Sequence, residues 1–159
     1  IPFARRGKRT DEYIEAMRAL WARDDADYTG EFVNFKGMNC NPKPTQDPLP
    51  IIVGGHSEFA ARRAGRLGNG YFPATGWAGD IKPLLAIVRE EAEKHGRDPD
   101  QIQITTGLDP EDMVGSAQRM AELGATRVVV PSAPFSKDIA GSLERFAAEV
   151  IAPVQERLG

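Results

Sequence analysis

Cysteine is nearly absent. Cys40 stands alone, which excludes an intramolecular disulfide framework and a thiolate metal cluster. No apolar run approaches the roughly 20 residues that a bilayer-spanning helix needs, and no secretory leader pattern opens the chain, so a reducing, cytoplasmic compartment is expected. Charge of one sign is not in excess: 20 Lys and Arg stand against 23 Asp and Glu, a net charge of -3. That balance leaves no basic surplus for nucleic-acid phosphates or a membrane surface, and neither partner is expected. The one basic cluster, Arg5-Arg6-Gly7-Lys8-Arg9, reads as a solvated loop ahead of a helix. Ser-His-Asp, Cys-His and paired-carboxylate motifs are missing too, as is any repeat of fixed period. The chain opens on Ile1-Pro2-Phe3, and a bulky isoleucine after an initiator would normally leave the methionine in place. A piece of something longer is therefore expected.

What is present is one domain's worth of ordinary globular sequence, 159 residues with 41% hydrophobic and 27% charged. Its most informative stretch is Pro50-Ile51-Ile52-Val53-Gly54-Gly55-His56-Ser57. A buried parallel strand delivers the chain to two glycines, whose missing β-carbons let a ligand approach the backbone. Ser57 then caps a helix through Phe59-Ala60-Ala61-Arg62-Arg63-Ala64, and its free N–H groups and positive dipole end suit an anion. The simplest reading is a pocket for a phosphate or a phosphate-bearing cofactor; the bland one is a turn joining strand to helix. His56 is either a hydrogen-bond donor to that ligand or a partly exposed loop histidine. Of Arg62, Arg63 and Arg66, one at most is expected to matter to a ligand.

Apolar periodicity places a helix from Thr10 to about Ala22, with Tyr13, Ile14, Met17, Leu20 and Trp21 on one face. Residues 24–48 read as a long loop or insertion, with room for a small hairpin over Tyr28–Phe35 and an extended leader at Pro42-Lys43-Pro44. From there strands alternate with helices. Strands are expected at Ile51–Val53, Gly70–Pro73, Ile102–Thr106 and Arg127–Pro131, and helices at Ser57–Leu67, Ile81–His95, Pro110–Leu123 and through the C-terminus. Asp109-Pro110-Glu111 reads as a helix cap, His95-Gly96 as a helix end, and Pro153 as a kink or frayed end. Four βα units imply parallel pairing, either in an open doubly wound sheet or in part of a barrel. Both architectures gather ligands at the carboxyl ends of the strands, where Gly54-Gly55 and Thr75-Gly76 fall. Trp77, in the second of those loops, is placed to cover a flat ring or the sheet's rim.

Several runs together resemble the bacterial luciferase-like monooxygenase family. They are Pro2-Phe3, Arg9-Thr10-Asp11-Glu12-Tyr13-Ile14-Glu15-Ala16, Leu20-Trp21, Gly30-Glu31-Phe32, Pro42-Lys43-Pro44, Pro50 to Gly55 and Ala60 to Tyr71. The resemblance is dense from Pro2 to about Gly76, looser beyond, and nearest the branch of coenzyme F420-dependent oxidoreductases. It implies an α/β fold, the C-terminal half of a TIM (β/α)8 barrel carrying strands five to eight, preceded by a helix and an insertion loop. It further implies hydride transfer between F420, or alternatively FMN, and a small-molecule substrate. The cofactor tail would lie on Gly54, Gly55, His56 and Ser57 and on the next loop, Ala74, Thr75 and Gly76. No catalytic residue and no metal ligand is carried over, since the catalytic groups are expected in the family's front half. Open strand edges imply a homodimer or pairing with that N-terminal half. The competing class is a non-enzymatic half-barrel that dimerises and binds a phosphate-bearing ligand or none.

Overall fold

The computed structural model describes residues 4–73, 79–131 and 137–159. Helix α1 spans Arg6–Ala22, starting four residues before the expected Thr10. Thr10 does not cap it; its hydroxyl donates back to the Arg6 carbonyl at 2.9 Å, so the basic cluster forms the first helical turns instead of a loop. The exposed segment after α1 is a two-stranded antiparallel ribbon, β1 (Ala26–Thr29) and β2 (Asn34–Met38). Tyr28 stacks on Phe35 across it, with ring centroids 5.9 Å apart.

One carboxylate fastens the ribbon to α1. Glu12 accepts from the backbone N–H groups of Glu31 (3.0 Å), Phe32 (2.6 Å) and Val33. Tyr28 adds a bond to Glu15 at 2.9 Å, and desolvation together with that carboxylate pushes the phenol up to about 12. Lys43, in the expected leader, donates to the Leu20 and Arg23 carbonyls at 2.9 and 2.7 Å and so closes the C-terminus of α1.

The body of the chain is a βα succession: β3 (Ile52–Gly54), α2 (Glu58–Leu67), β4 (Gly70–Phe72), α3 (Lys82–Lys94), β5 (Gln103–Gly107), α4 (Met113–Glu122), β6 (Ala125–Val129), α5 (Ile139–Phe146) and α6 (Ala152–Leu158). The four strands pair in parallel in the order β3-β4-β5-β6. Register places Val53 beside Tyr71, Tyr71 beside Ile104, and Thr105 beside Arg127. Strand order follows chain order without reversal. A doubly wound sheet reverses at a switch point and a barrel does not, so the open-sheet alternative falls and the fold is a partial (β/α)8 barrel.

The core lies between this sheet and its helices. Val53, Tyr71 and Ile102 meet Ala60, Ala61 and Ala64 of α2 and Val88 and Ala92 of α3. Small residues on α2 let the two helices approach until a β-carbon on Gly65 would lie 2.5 Å from the Val88 carbonyl oxygen. The carbonyls at the far end of α2 are closed by two guanidinium groups. Arg97 reaches Ala64, Gly65 and Gly68, and Arg18 reaches Leu67 and the Asn69 side chain. Burial, and secondarily Arg18, lowers the Arg97 pKa.

Two helix boundaries depart from expectation. Asp109 does not cap α4: its side chain closes a turn onto the Glu111 N–H, and Asp112 caps instead, accepting from Gly115 at 3.0 Å. Near the C-terminus a wide π turn, Ala147–Ile151, resets the hydrogen-bond ladder. Pro153 follows directly on this wide turn, at the start of α6, and the helix continues to Leu158. His95-Gly96 does end α3, with Gly96 at φ +66°.

Candidate functional site

β3 carries the chain to Gly54 and Gly55 at the carboxyl edge of the sheet. Gly55 has φ +134°, a conformation that disfavours L side chains, and its N–H donates to the Phe72 carbonyl at 3.0 Å. Its own carbonyl accepts from the buried Tyr71 hydroxyl at 2.8 Å. Ser57 caps α2 as expected, its hydroxyl accepting from the Ala60 N–H at 3.3 Å. The N–H groups of His56, Ser57, Glu58 and Phe59 find no acceptor among the described residues. These are the donors a helix start leaves for an anion.

The start of α1 faces that loop. Gly54, Gly55, His56, Ser57, Phe59 and Ala60 line one side of a cleft of about 700 Å³, and Arg5, Arg6, Gly7, Thr10 and Arg63 line the rest. Two helix N-termini and three arginines therefore converge, with no carboxylate among the described lining residues. Guanidinium groups at the positive end of a helix oppose its dipole, by about 0.3–1 kcal/mol each. α1 carries them there without an acid in its first turn. An anion in the cleft would turn that penalty into attraction.

Arg5 and Arg63 are held in place. Arg5 pairs with Glu31 and lies 5.0 Å over the Phe32 ring, and the pairing lowers the Glu31 pKa. Arg63 pairs with Asp11 and donates to the Gly7 carbonyl at 3.1 Å. Arg66 shares Asp11, while Arg62 pairs with Glu58 and Glu91, so Arg63 is the one α2 arginine on the cleft.

The structure thus brings together four of the expected site residues, Gly54, Gly55, His56 and Ser57; Ala74, Thr75 and Gly76, like Trp77, lie outside the described residues. Sequence reading missed Arg5, Arg6, Gly7, Thr10 and their side of the cleft. The available signal was four cations within five residues directly before an amphipathic helix. Two other clefts, of about 280 and 400 Å³, sit at the amino ends of β5 and β6 and beside Trp21, away from the strand ends that face a ligand. Among the described residues no group of three His, Cys, Asp or Glu is placed to hold a metal, and no helix is long and apolar enough to cross a membrane.

Comparison with known proteins identifies the family and agrees with the fold. The chain is 36% identical over 165 residues to an uncharacterised protein of Mycobacterium tuberculosis, covering 97% of this chain and 56% of that protein. It is 30% identical over 162 residues to a protein of Gordonia bronchialis named F420-dependent glucose-6-phosphate dehydrogenase, covering 97% and 46%. The chain spans about half the length of these curated relatives. Among solved structures, an F420-dependent secondary alcohol dehydrogenase in complex with an F420-acetone adduct superimposes with a TM-score of 0.73 at 18% identity, covering 94% of this chain and 62% of that one. A long-chain alkane monooxygenase gives 0.57 at 18% identity, covering 77% and 34%. These structural likenesses concern the fold. The family profile described as luciferase-like monooxygenase matches residues 1–111, well beyond the motif-dense stretch that ends near Gly76, and the chain belongs to that family.

Proposed function

We propose that the protein acts in hydride transfer between a deazaflavin, coenzyme F420, and a small organic substrate, and that this chain supplies the site for the cofactor's phosphate end. The observation that carries the reading is the cleft: the Gly54-Gly55 turn, two helix N-termini and Arg5, Arg6 and Arg63 converge on one space with no carboxylate among its described lining residues. A phosphate fits those donors. Its oxygens can accept from the free N–H groups of α2 and pair with the guanidinium forks. When bound, the cofactor supplies the two-electron redox chemistry, and the residues here bind and orient its tail. No catalytic residue is assigned to this chain. F420 is favoured over FMN because relatives and a fold neighbour are named for F420. FMN stays as the alternative because a riboflavin lyase of the same fold is described with modified FMN.

A second reading, a self-associating partial barrel without enzymatic activity, draws on one observation. β3 and β6 are open edges among the described strands, and Val128 and Val129 on β6 are 42% and 46% exposed. Native mass spectrometry of the protein with equal concentrations of F420 and FMN separates the readings. Retention of F420 is expected. Retention of FMN alone would reassign the coenzyme, and a chain or dimer carrying neither would overturn the redox reading.

A further inference from the structure

We infer that Tyr71 is a positioning residue for the anion cleft: by holding the Gly55 carbonyl toward the core, its hydroxyl aims the His56 N–H into the cleft as a ligand donor. The inference rests on the phosphate reading of that cleft and adds the group that orients it. Tyr71 lies on β4 beside Val53 and is 0% exposed. It is packed in the core and does not line the cleft. A buried phenol is costly unless its hydroxyl is bonded, and the bond goes to the Gly55 carbonyl at 2.8 Å. Burial also raises the Tyr71 pKa, which keeps the hydroxyl a donor through neutral pH.

The consequence follows from peptide planarity. In a trans peptide the carbonyl of residue i and the N–H of residue i+1 point in opposite directions. With the Gly55 carbonyl turned toward Tyr71, the next N–H, that of His56, points away from the core, and both residues line the cleft. The Gly55 N–H is tied to the neighbouring Phe72 carbonyl at 3.0 Å. β4 therefore grips Gly55 at both ends, and the peptide cannot flip without losing a buried hydrogen bond. A glycine at φ +134° has no side chain to restrain it, so the restraint must come from a neighbour. A donor fixed before the ligand arrives costs less to use than one that must reorient.

The test is a titration with inorganic phosphate, followed by amide NMR of the protein and of Tyr71→Phe, which keeps the shape and removes one hydroxyl. Wild type should bind, with the His56, Glu58 and Phe59 amides shifting together. In Tyr71→Phe, phosphate affinity should fall roughly tenfold, with the His56 shift largely lost and those of Glu58 and Phe59 kept. A purely structural tyrosine would weaken all three alike. His56→Pro removes the donor directly, with His56→Ala, which keeps the N–H, as the control for the lost imidazole. Relative to that control it should cost a similar factor, and the double variant Tyr71→Phe/His56→Pro should cost no more than His56→Pro. If Tyr71→Phe does not fold, His56→Pro decides. Phosphate binding that is no weaker in His56→Pro than in His56→Ala, or unchanged in a folded Tyr71→Phe, overturns the role of Tyr71 and leaves the cleft reading standing. A wild type that binds no phosphate removes the cleft reading itself, and this inference with it.

Discussion

A β-carbon built on Gly55 would lie 2.9 Å from the Ala60 β-carbon, on a backbone already at φ +134°. One built on Gly54 meets only the Phe72 carbonyl oxygen, at 4.0 Å. The two glycines look equivalent in sequence and differ sharply in what they tolerate. Gly55→Ala should destabilise by about 1–3 kcal/mol through strain and overpacking, while Gly54→Ala should change stability by less than about 1 kcal/mol. Urea denaturation of both variants checks this, and equal midpoints would mean that Gly55 is not strained. The difference could not be read from the letters. Gly-Gly before a serine announces a turn and a helix cap, and both are present. Which glycine carries the positive φ is decided by how the turn is tied to β4, through Phe72 and Tyr71, and those residues lie about 16 positions away.

Helices α2 and α3 make the same point at the scale of elements. The helix that carries the alanines of α2 was legible, and Ala60, Ala61 and Ala64 are buried against α3 and the sheet. Gly65, inside the same helix, is a contact point. A methyl group there would sit 2.5 Å from the Val88 carbonyl and 2.9 Å from the Glu91 β-carbon. Glycine to alanine normally stabilises a helix interior by about 0.5–1 kcal/mol. Here the sign should reverse, because backbone atoms of α3 cannot yield as a flexible side chain would. Gly65→Ala should lose about 1–3 kcal/mol in a thermal or urea melt, and a stabilised variant would show that the helices can separate at little cost. Helix starts were less legible wherever two caps competed. Asp109 and Asp112 both suit the role, and the geometry of the turn, with Ser116 accepting from the Asp109 N–H at 3.0 Å, selects the later one. Strand order was not legible in the βα pattern itself, which serves barrels and open sheets alike; the family resemblance implied a barrel, and the pairing order β3-β4-β5-β6 agrees with it.

At the scale of the molecule, bulk charge and local charge disagree. A net charge of -3 argued against nucleic acid or a membrane surface as partner, while three arginines and two helix starts face one cleft. Screening explains how both hold. At physiological ionic strength charges interact over about 8 Å, so a ligand in the cleft feels its lining far more than the acidic remainder. The basic cluster was misread for the same reason. Cations at a helix start oppose the dipole, and sequence rules therefore assign them to a loop. The opposing group that makes room for Arg5, the Glu31 carboxylate, comes from the ribbon elsewhere in the fold. This arrangement has a measurable signature. Phosphate affinity should fall steadily as salt is raised from about 50 to 500 mM, since most of the attraction is electrostatic and solvent reaches the cleft. Arg6→Gln should weaken binding several-fold at low salt and flatten the salt dependence, so that variant and wild type converge at high salt. Isothermal titration across that salt range reads both effects. A gap between the two that stays constant at every salt concentration would mean that Arg6 acts through shape or a short hydrogen bond, and that the cleft does not attract its ligand by charge.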